Sequence, residues 1–341
     1  MTLSKKKICL GIESTAHTFG VGIVDFTGNV LSRVNKVYIP EEGGLHPVQV
    51  REQHLNLFDS VITQALEEAH ISINDLDLIA FSQSPGLGPV LKIGALVARL
   101  LSEFLAIPIV AVNHCVAHIE IGRLKCKIED PLTLYVSGGN TIVSAFEAQH
   151  YQIFGETLDL AIGNMIDSFA REVGIPHPGG PKIENLAAEN SAKRKYLQLP
   201  YVVKGMDLSF SGLFTAATRL VHSPAYNKKY NLNDVAFSVQ ETAFAMLTEV
   251  TERALAHTGK DEVLLTGGVA ANKRLQSMIR YISEEHHARF EVVPLYFAGD
   301  NGAMIAWTGI LRYNAVGGDE LAATSIKPKE RMDHLSIPWR D

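Results

Sequence analysis

One order of elements is written twice along this chain, and that repetition limits its fold more than any single motif. Residues 8–38, "ICLGIESTAHTFGVGIVDFTGNVLSRVNKVY", read as an apolar strand, a small polar turn and two further strands split by the turn "FTGN". From residue 132, "LTLYVSGGNTIVSAFEAQHYQIFGE" repeats the pattern. Each half then carries a long helical stretch, a buried strand and a glycine turn. In the first half "VQVREQHLNLFDSVITQALEEAH", with Leu57, Val61 and Leu66 at helical intervals, leads into "LDLIAFSQSPGLGP". In the second, "DVAFSVQETAFAMLTEVTERALAHTG" leads into "DEVLLTGGVAAN". This predicts an α/β fold, the duplicated actin-like ATPase layout of the sugar-kinase and heat-shock ATPase class, with two lobes around a nucleotide cleft. The N-terminal lobe is expected over 1–130, with a C-terminal helix over 301–325 packing back on it, and the C-terminal lobe over 131–300.

A strand, a glycine turn and a helix in that order can cradle phosphate. Backbone N–H groups approach an anion closely where no Cβ intervenes, and the following helix end adds a favourable dipole. "SGGNT" and "TGGVAAN" offer two such turns, although any one of them can also be a plain tight turn. Neither has a Walker A lysine motif or reads G-x-G-x-x-G, which disfavours a P-loop enzyme and a Rossmann dehydrogenase.

The net charge of −6 argues against a bulk electrostatic grip on nucleic acid. Any such partner must be held by a local patch, such as that around Lys193, Arg194 and Lys195 in "SAKRKYLQLP", or by another protein. Cys9, Cys115 and Cys126 show no paired spacing, which suggests a reducing compartment. The N-terminus lacks an apolar run long enough for a signal peptide, and Arg99, Glu103 and Pro108 interrupt the most apolar stretch. These features predict a cytoplasmic chain with no membrane partner.

"VNHCVAHIEIGR" places His114 and His118 four apart in a helical context, so both imidazoles could reach one ion. With 13 histidines in 341 residues, chance alone makes such a spacing commonplace, and other ligands are needed. Asp300 in "YFAGDNGAMIAW" is either such a ligand or a helix N-cap. Tyr135, at the end of its strand, either packs or turns its phenol oxygen to the cleft. In "GNMIDSFAREVGIPHPGGPKIENLAAEN", Asp167 and Glu184 either accept hydrogen bonds from ribose hydroxyls or lie on solvated helix faces, and His177 reads as a loop residue.

Taken together, "GIESTAHTFGVGI", "GGLHP", "NHCVAHIEIGR", "YVSGGNT", "GNMIDSFAREVG", "HPGGPKIE", "DLSFSGL", "TGGVAANKRL" and "AGDNGAMIAW" resemble, in order and over nearly the whole chain, the universal tRNA threonylcarbamoyladenosine transferase family. The likeness is to its archaeal and eukaryotic form, the catalytic subunit of the KEOPS complex. The resemblance implies a metal held by His114, His118, Asp300 and Tyr135, with Fe2+ favoured and Zn2+ compatible. It implies that Tyr135, Val136, Ser137, Gly138 and Gly139 touch the activated substrate, that Asp167, Gly180 and Glu184 meet the nucleotide sugar, and that Asn272 lies near the base. Glu13 is implied as a catalytic, cleft-facing acid. The expected adenine nucleotide is threonylcarbamoyl-AMP, ATP or AMP. The expected partners are tRNA, a small protein kinase on a separate polypeptide, and small dimerising subunits of a KEOPS-like complex, with most of the tRNA grip in those partners. Val48, Leu100 and Ala106 depart from the family's usual residues, all outside the ligand set.

The implied reaction moves a threonylcarbamoyl group from threonylcarbamoyl-AMP to the exocyclic amine of the adenosine 3′ of the anticodon, in tRNAs reading codons that start with adenine. Its main rival is an actin-like ATP-binding scaffold or chaperone-type ATPase without transferase activity. A zinc peptidase is disfavoured because Cys115 follows His114 where the H-E-x-x-H motif needs its glutamate. A related O-carbamoyltransferase usually carries a further domain that this length cannot hold.

Overall fold

A computed structural model describes residues 6–40, 46–189 and 194–340, so most of "GGLHP" and all of Lys193 lie outside the described residues. The chain divides into two compact units. The first comprises the segment up to Lys125, Glu147–Tyr151 and the segment from Gly299 onward; the second comprises Cys126–Phe146 and Gln152–Ala298.

In the first unit, β1 (Ile8–Glu13), β2 (Thr18–Asp25) and β3 (Val30–Val37) form an antiparallel meander. Its second turn is built around Asp25. The Asp25 carboxylate accepts bonds from the N–H groups of Thr27 (2.9 Å) and Asn29 (3.0 Å), from the Thr27 hydroxyl (2.6 Å) and from the Asn29 amide (2.8 Å). Helix α1 (Pro47–Glu68) leads to β4 (Leu78–Ser84), and α2 (Gly88–Leu105) leads to β5 (Ile109–Asn113) and α3 (His114–Cys126). The five-stranded sheet runs β3-β2-β1-β4-β5, with β4 parallel to β1 and β5 parallel to β4. β1, β2, β4 and β5 are buried along their length, which explains their near-continuous apolar character.

The second unit repeats this plan. β6 (Leu132–Val136), β7 (Thr141–Glu147) and β8 (His150–Glu156) are followed by α4 (Ile162–Glu172) and α5 (Gly180–Ala188). A two-residue hairpin, β9 (Val203–Lys204) and β10 (Asp207–Leu208), precedes α6 (Ser211–Val221) and α7 (Leu232–Thr258). Then come β11 (Glu262–Thr266), α8 (Lys273–Glu285), β12 (Arg289–Val292) and the short α9 (Leu295–Ala298). Its sheet runs β12-β11-β6-β7-β8, with β11 parallel to both β6 and β12. Counting only the strands of each five-stranded sheet, and so leaving out the β9–β10 hairpin, the order is third, second, first, fourth, fifth in both. This is the duplicated actin-like layout expected from the repeated string. Helix α7 packs along one long face with Val239, Phe244, Leu247 and Val250 fully buried.

The last long helix, α10 (Gly302–Val316), belongs to the first unit and lies directly on β1 and β2. A Cβ at Gly11 would collide with the backbone of Ala306, one at Gly22 with that of Ala303, and one at Gly302 with that of Gly22. Glycine at all three positions lets helix and sheet backbones touch. The helix stops at Val316, short of the expected 325, because Gly317 takes a left-handed φ of +83° and donates its N–H to Tyr313 O at 2.8 Å. Among the described residues no helix is long and apolar enough to cross a membrane, and all three cysteines are free thiols.

Candidate metal centre and anion-binding loops

Strand β5 runs straight into α3, and Asn113 makes the junction. Its side-chain oxygen accepts the N–H groups of Cys115 (3.0 Å) and Val116 (3.2 Å), an N-cap that starts the helix at His114. Four residues on, His118 lies over His114, with ring centroids 4.7 Å apart and planes at 79°. Asp300 comes from the turn before α10. Its Oδ1 is 3.3 Å from His118 Nε2 and 3.5 Å from His114 Nε2. One ligating atom from each of the three residues falls within 4.8 Å of the others.

Asp300 is not the cap of α10. Asn301 takes that role, accepting the N–H of Met304 at 3.0 Å. The Asp300 carbonyl is held by the Asn35 amide at 2.8 Å, so the turn is anchored and its carboxylate points to the histidines. Glu13, the last residue of β1, is fully buried. It accepts the Thr15 N–H at 2.7 Å and the Thr15 hydroxyl, and it lies 2.9 Å from His114 Nδ1. With Nδ1 on Glu13, the Nε2 of His114 is the atom facing Asp300. A carboxylate behind a ligating imidazole fixes its tautomer and raises its basicity.

Burial opposes a charge on His114, but the Glu13 and Asp300 carboxylates outweigh it and hold the imidazole at about 9. His118 is pushed down, chiefly by burial and further by His114, against the pull of Asp300. Burial also works against the Asp300 carboxylate, yet the two histidines hold it well below its usual range. Burial, with Asp300 and Glu13 nearby, pushes the Cys115 thiol up to about 12, so it does not compete as a thiolate near neutrality. Two imidazole nitrogens and a carboxylate fit a borderline divalent cation, and this donor type is the one used by non-haem iron(II).

The second unit carries a different kind of candidate site. After Tyr135 and Val136, both fully buried, Ser137 organises the turn: its hydroxyl accepts the N–H groups of Gly139 (3.3 Å) and Asn140 (3.0 Å). The Asn140 amide reaches the Tyr135 hydroxyl at 3.4 Å. A Cβ at Gly138, Gly139, Gly180 or Gly268 would meet nothing within 4 Å, and none of the four needs positive φ. Neither packing nor backbone conformation requires glycine there. Gly267 next door is the opposite case, with φ of +95° and a Cβ that would strike Val136 O. The bare glycines leave backbone open for a ligand to approach.

Asp167, on α4, accepts the Gly179 N–H at 2.8 Å and lies 3.3 Å from His177 Nδ1. Burial resists its charge, but His177 and the amides of Gly179 and Gly180 hold it below the usual carboxylate range. Glu184, on α5, accepts the Lys273 N–H at 2.7 Å. Asn272 caps α8 through the N–H groups of Arg274 (2.9 Å) and Leu275 (3.2 Å), and donates to Gln240 at 3.1 Å. Asp167 is thus tied to the start of α5, and Glu184 ties α5 to the start of α8. Tyr135 lies in the second unit and the histidines in the first.

The profile of the tRNA N6-adenosine threonylcarbamoyltransferase family matches residues 29–307. The tRNA N6-adenosine threonylcarbamoyltransferase of Thermococcus sibiricus is 51% identical over 332 residues, 97% of this chain and 100% of that one. The chain belongs to this family. The probable bifunctional tRNA threonylcarbamoyladenosine biosynthesis protein of Methanothermobacter thermautotrophicus is 53% identical over 97% of this chain, which spans only 61% of that longer protein. Two solved structures share the fold at low identity. HypF of T. kodakarensis has a TM-score of 0.62 and 16% identity, covering 91% of this chain and 48% of its own. Component A of the Acidaminococcus fermentans (R)-2-hydroxyglutaryl-CoA dehydratase has a TM-score of 0.55 and 14% identity, covering 90% and 99%.

The threonylcarbamoyltransferase family match includes both histidines, Asp300 and the glycine turns, while Glu13 precedes it. Sequence reasoning missed the supporting residues of this threonylcarbamoyltransferase-family chain: Thr15 and Asn35 around the candidate metal centre, Asn113 and Asn301 as caps, and Gln240 behind Asn272. Asn113 carried a usable signal, since an asparagine just before a helical run marks an N-cap.

Proposed function

We propose that this chain transfers the threonylcarbamoyl group from threonylcarbamoyl-AMP to the exocyclic amine of the adenosine 3′ of the anticodon, in tRNAs reading codons that begin with adenine. The observation that carries the proposal is the meeting of His114, His118 and Asp300, with ligating atoms inside 4.8 Å. An ATP-binding scaffold has no use for that donor set. The three residues hold one divalent ion, with Fe2+ favoured over Zn2+. When bound, it supplies Lewis acidity and a grip on the threonyl group.

The protein's own residues do the rest. Glu13 orients His114 as a positioning residue. His114 and His118 act as ligands, so neither serves as a base. The Tyr135–Gly139 turn receives the activated substrate, Asp167, Gly180 and Glu184 face the ribose, and Asn272 shapes the region of the base. The adenosine amine is a weak nucleophile because its lone pair is delocalised into the ring. Holding it against the carbamoyl carbon, while the bond to phosphate breaks and AMP departs, is therefore the main task. The working setting is cytoplasmic, beside a small kinase and small dimerising subunits of a KEOPS-like complex.

The test combines unmodified tRNA, ATP, threonine, bicarbonate, an adenylate-forming enzyme, the candidate partner subunits and this chain. Mass spectrometry of the digested tRNA should find threonylcarbamoyladenosine. Its absence, with the adenylate shown to be present, would refute the proposal.

A further inference from the structure

The second unit holds a pocket of about 430 Å³ that takes no part in the sites above. Arg194, Lys195, Lys228 and Lys229 line it, and Asp234 is its single carboxylate. That carboxylate is already engaged, accepting the N–H groups of Lys195 (2.8 Å) and Asn231 (3.0 Å). Among the described residues, none of the four cations pairs with a carboxylate. The Lys195 ammonium donates to Lys229 O at 2.6 Å, and Arg194 donates to Ala187 O while its guanidinium lies 4.4 Å over the Phe237 ring. Elsewhere in this unit, Arg274 is paired with Glu241 and Lys260 with Asp130. In a chain of net charge −6, this is a concentrated positive spot, four cations against one lining carboxylate, with Glu189 beside it accepting the Asn233 amide at 3.0 Å.

The spot is also held in shape. Lys228 and Lys229 sit on a tight turn closed by the Asn227 N–H to Tyr230 O at 2.8 Å. The rings of Tyr226 and Tyr230 pack edge to face at 6.4 Å, and the Tyr230 hydroxyl bonds Ser223 at 2.6 Å and Leu220 O at 3.1 Å. The rest of the lining is mainly asparagine. A peptide partner would want apolar anchor points, and the one ring in this lining, Tyr230, is already packed on Tyr226 with its hydroxyl bonded to Ser223 and Leu220 O. Ammonium groups and amides instead suit phosphodiester oxygens.

We propose that this pocket grips the phosphate backbone of RNA, the tRNA of the transferase reading on which this inference rests. It is a local contact that adds to the grip of partner subunits. The test measures binding of labelled, unmodified tRNA to the full chain across a salt series, for the wild type and for the triple variant Lys195→Glu, Lys228→Glu, Lys229→Glu. Thermal melts check that the variant folds, and the matching triple arginine variant keeps the charge. The glutamate variant should bind at least about tenfold more weakly near 0.1 M salt, with a salt slope shallower by about 2–3, and the arginine variant should bind like the wild type. Unchanged affinity and slope, or a wild type with no salt-sensitive tRNA binding, overturns the proposal. So does a loss seen only with inorganic phosphate or with an acidic peptide. The readout is binding alone, so it stands or falls separately from detection of the modified nucleoside.

Discussion

The two units share a strand order, but their candidate sites are built by opposite means. In the first, a site is made by adding side chains: His114, His118 and Asp300 converge, and Glu13 and Asn35 hold them in place. In the second, the proposed ligand contacts lie where side chains are left out, at Gly138, Gly139, Gly180 and Gly268. On the proposed function, one architecture would serve a cation through donors and an anion through exposed backbone. It also means that opposite substitutions, truncation in one unit and enlargement in the other, should do the damage.

The largest effect is expected from His114→Ala or Asp300→Ala. Each should remove the metal from the purified protein by elemental analysis and lower transfer by about a thousandfold or more. Full metal content in either variant would break the side-chain half of the comparison. Next come the neighbouring glycines. Gly267→Ala should cost roughly 2–4 kcal/mol in denaturant unfolding, from left-handed strain plus collision with Val136 O. Gly268→Val should leave stability almost unchanged and instead raise KM for the adenylate, with metal content intact. Equal stability losses in the two variants would contradict the bare-backbone reading.

A smaller change is expected for Glu13→Gln, which keeps the shape but weakens the hold on His114: metal affinity by calorimetry should fall about 10- to 100-fold. The mildest test is pH. His114 is held at about 9, above its unfolded value near 6.5, so its contribution to the stability of the metal-free protein is full below that unfolded value and is lost as pH rises through about 9. Metal binding has the opposite slope, because the ion must displace that proton. Calorimetry in buffers of different ionisation enthalpy should show about one proton released per ion at pH 7, declining above pH 9. Proton release that does not change with pH would show that His114 is neutral before the ion arrives.

The fold was legible because both sheets are built from short apolar strands whose order can be read directly. The histidine pair was visible but ambiguous, since spacing says nothing about a third ligand. Adjacent Asp300 and Asn301 are both favoured caps, and only the backbone path shows that Asn301 does the capping. The Glu13–His114 pair joins residues 101 apart, a contact that only the parallel stacking of β1, β4 and β5 creates. The helix expected over 301–325 ends at Val316 because Gly317 turns the chain with a positive φ.

Gly11, Gly22 and Gly302 meet backbone to backbone beneath α10, so a few hydrogen atoms are all that separate the helix bearing the Asp300 turn from the sheet bearing Glu13. That seam has no slack. An added methyl group at Gly22 would lift the acidic wall of the candidate metal centre away from its histidines, and a screen that scored only turnover would mistake a displaced beam for a missing tool.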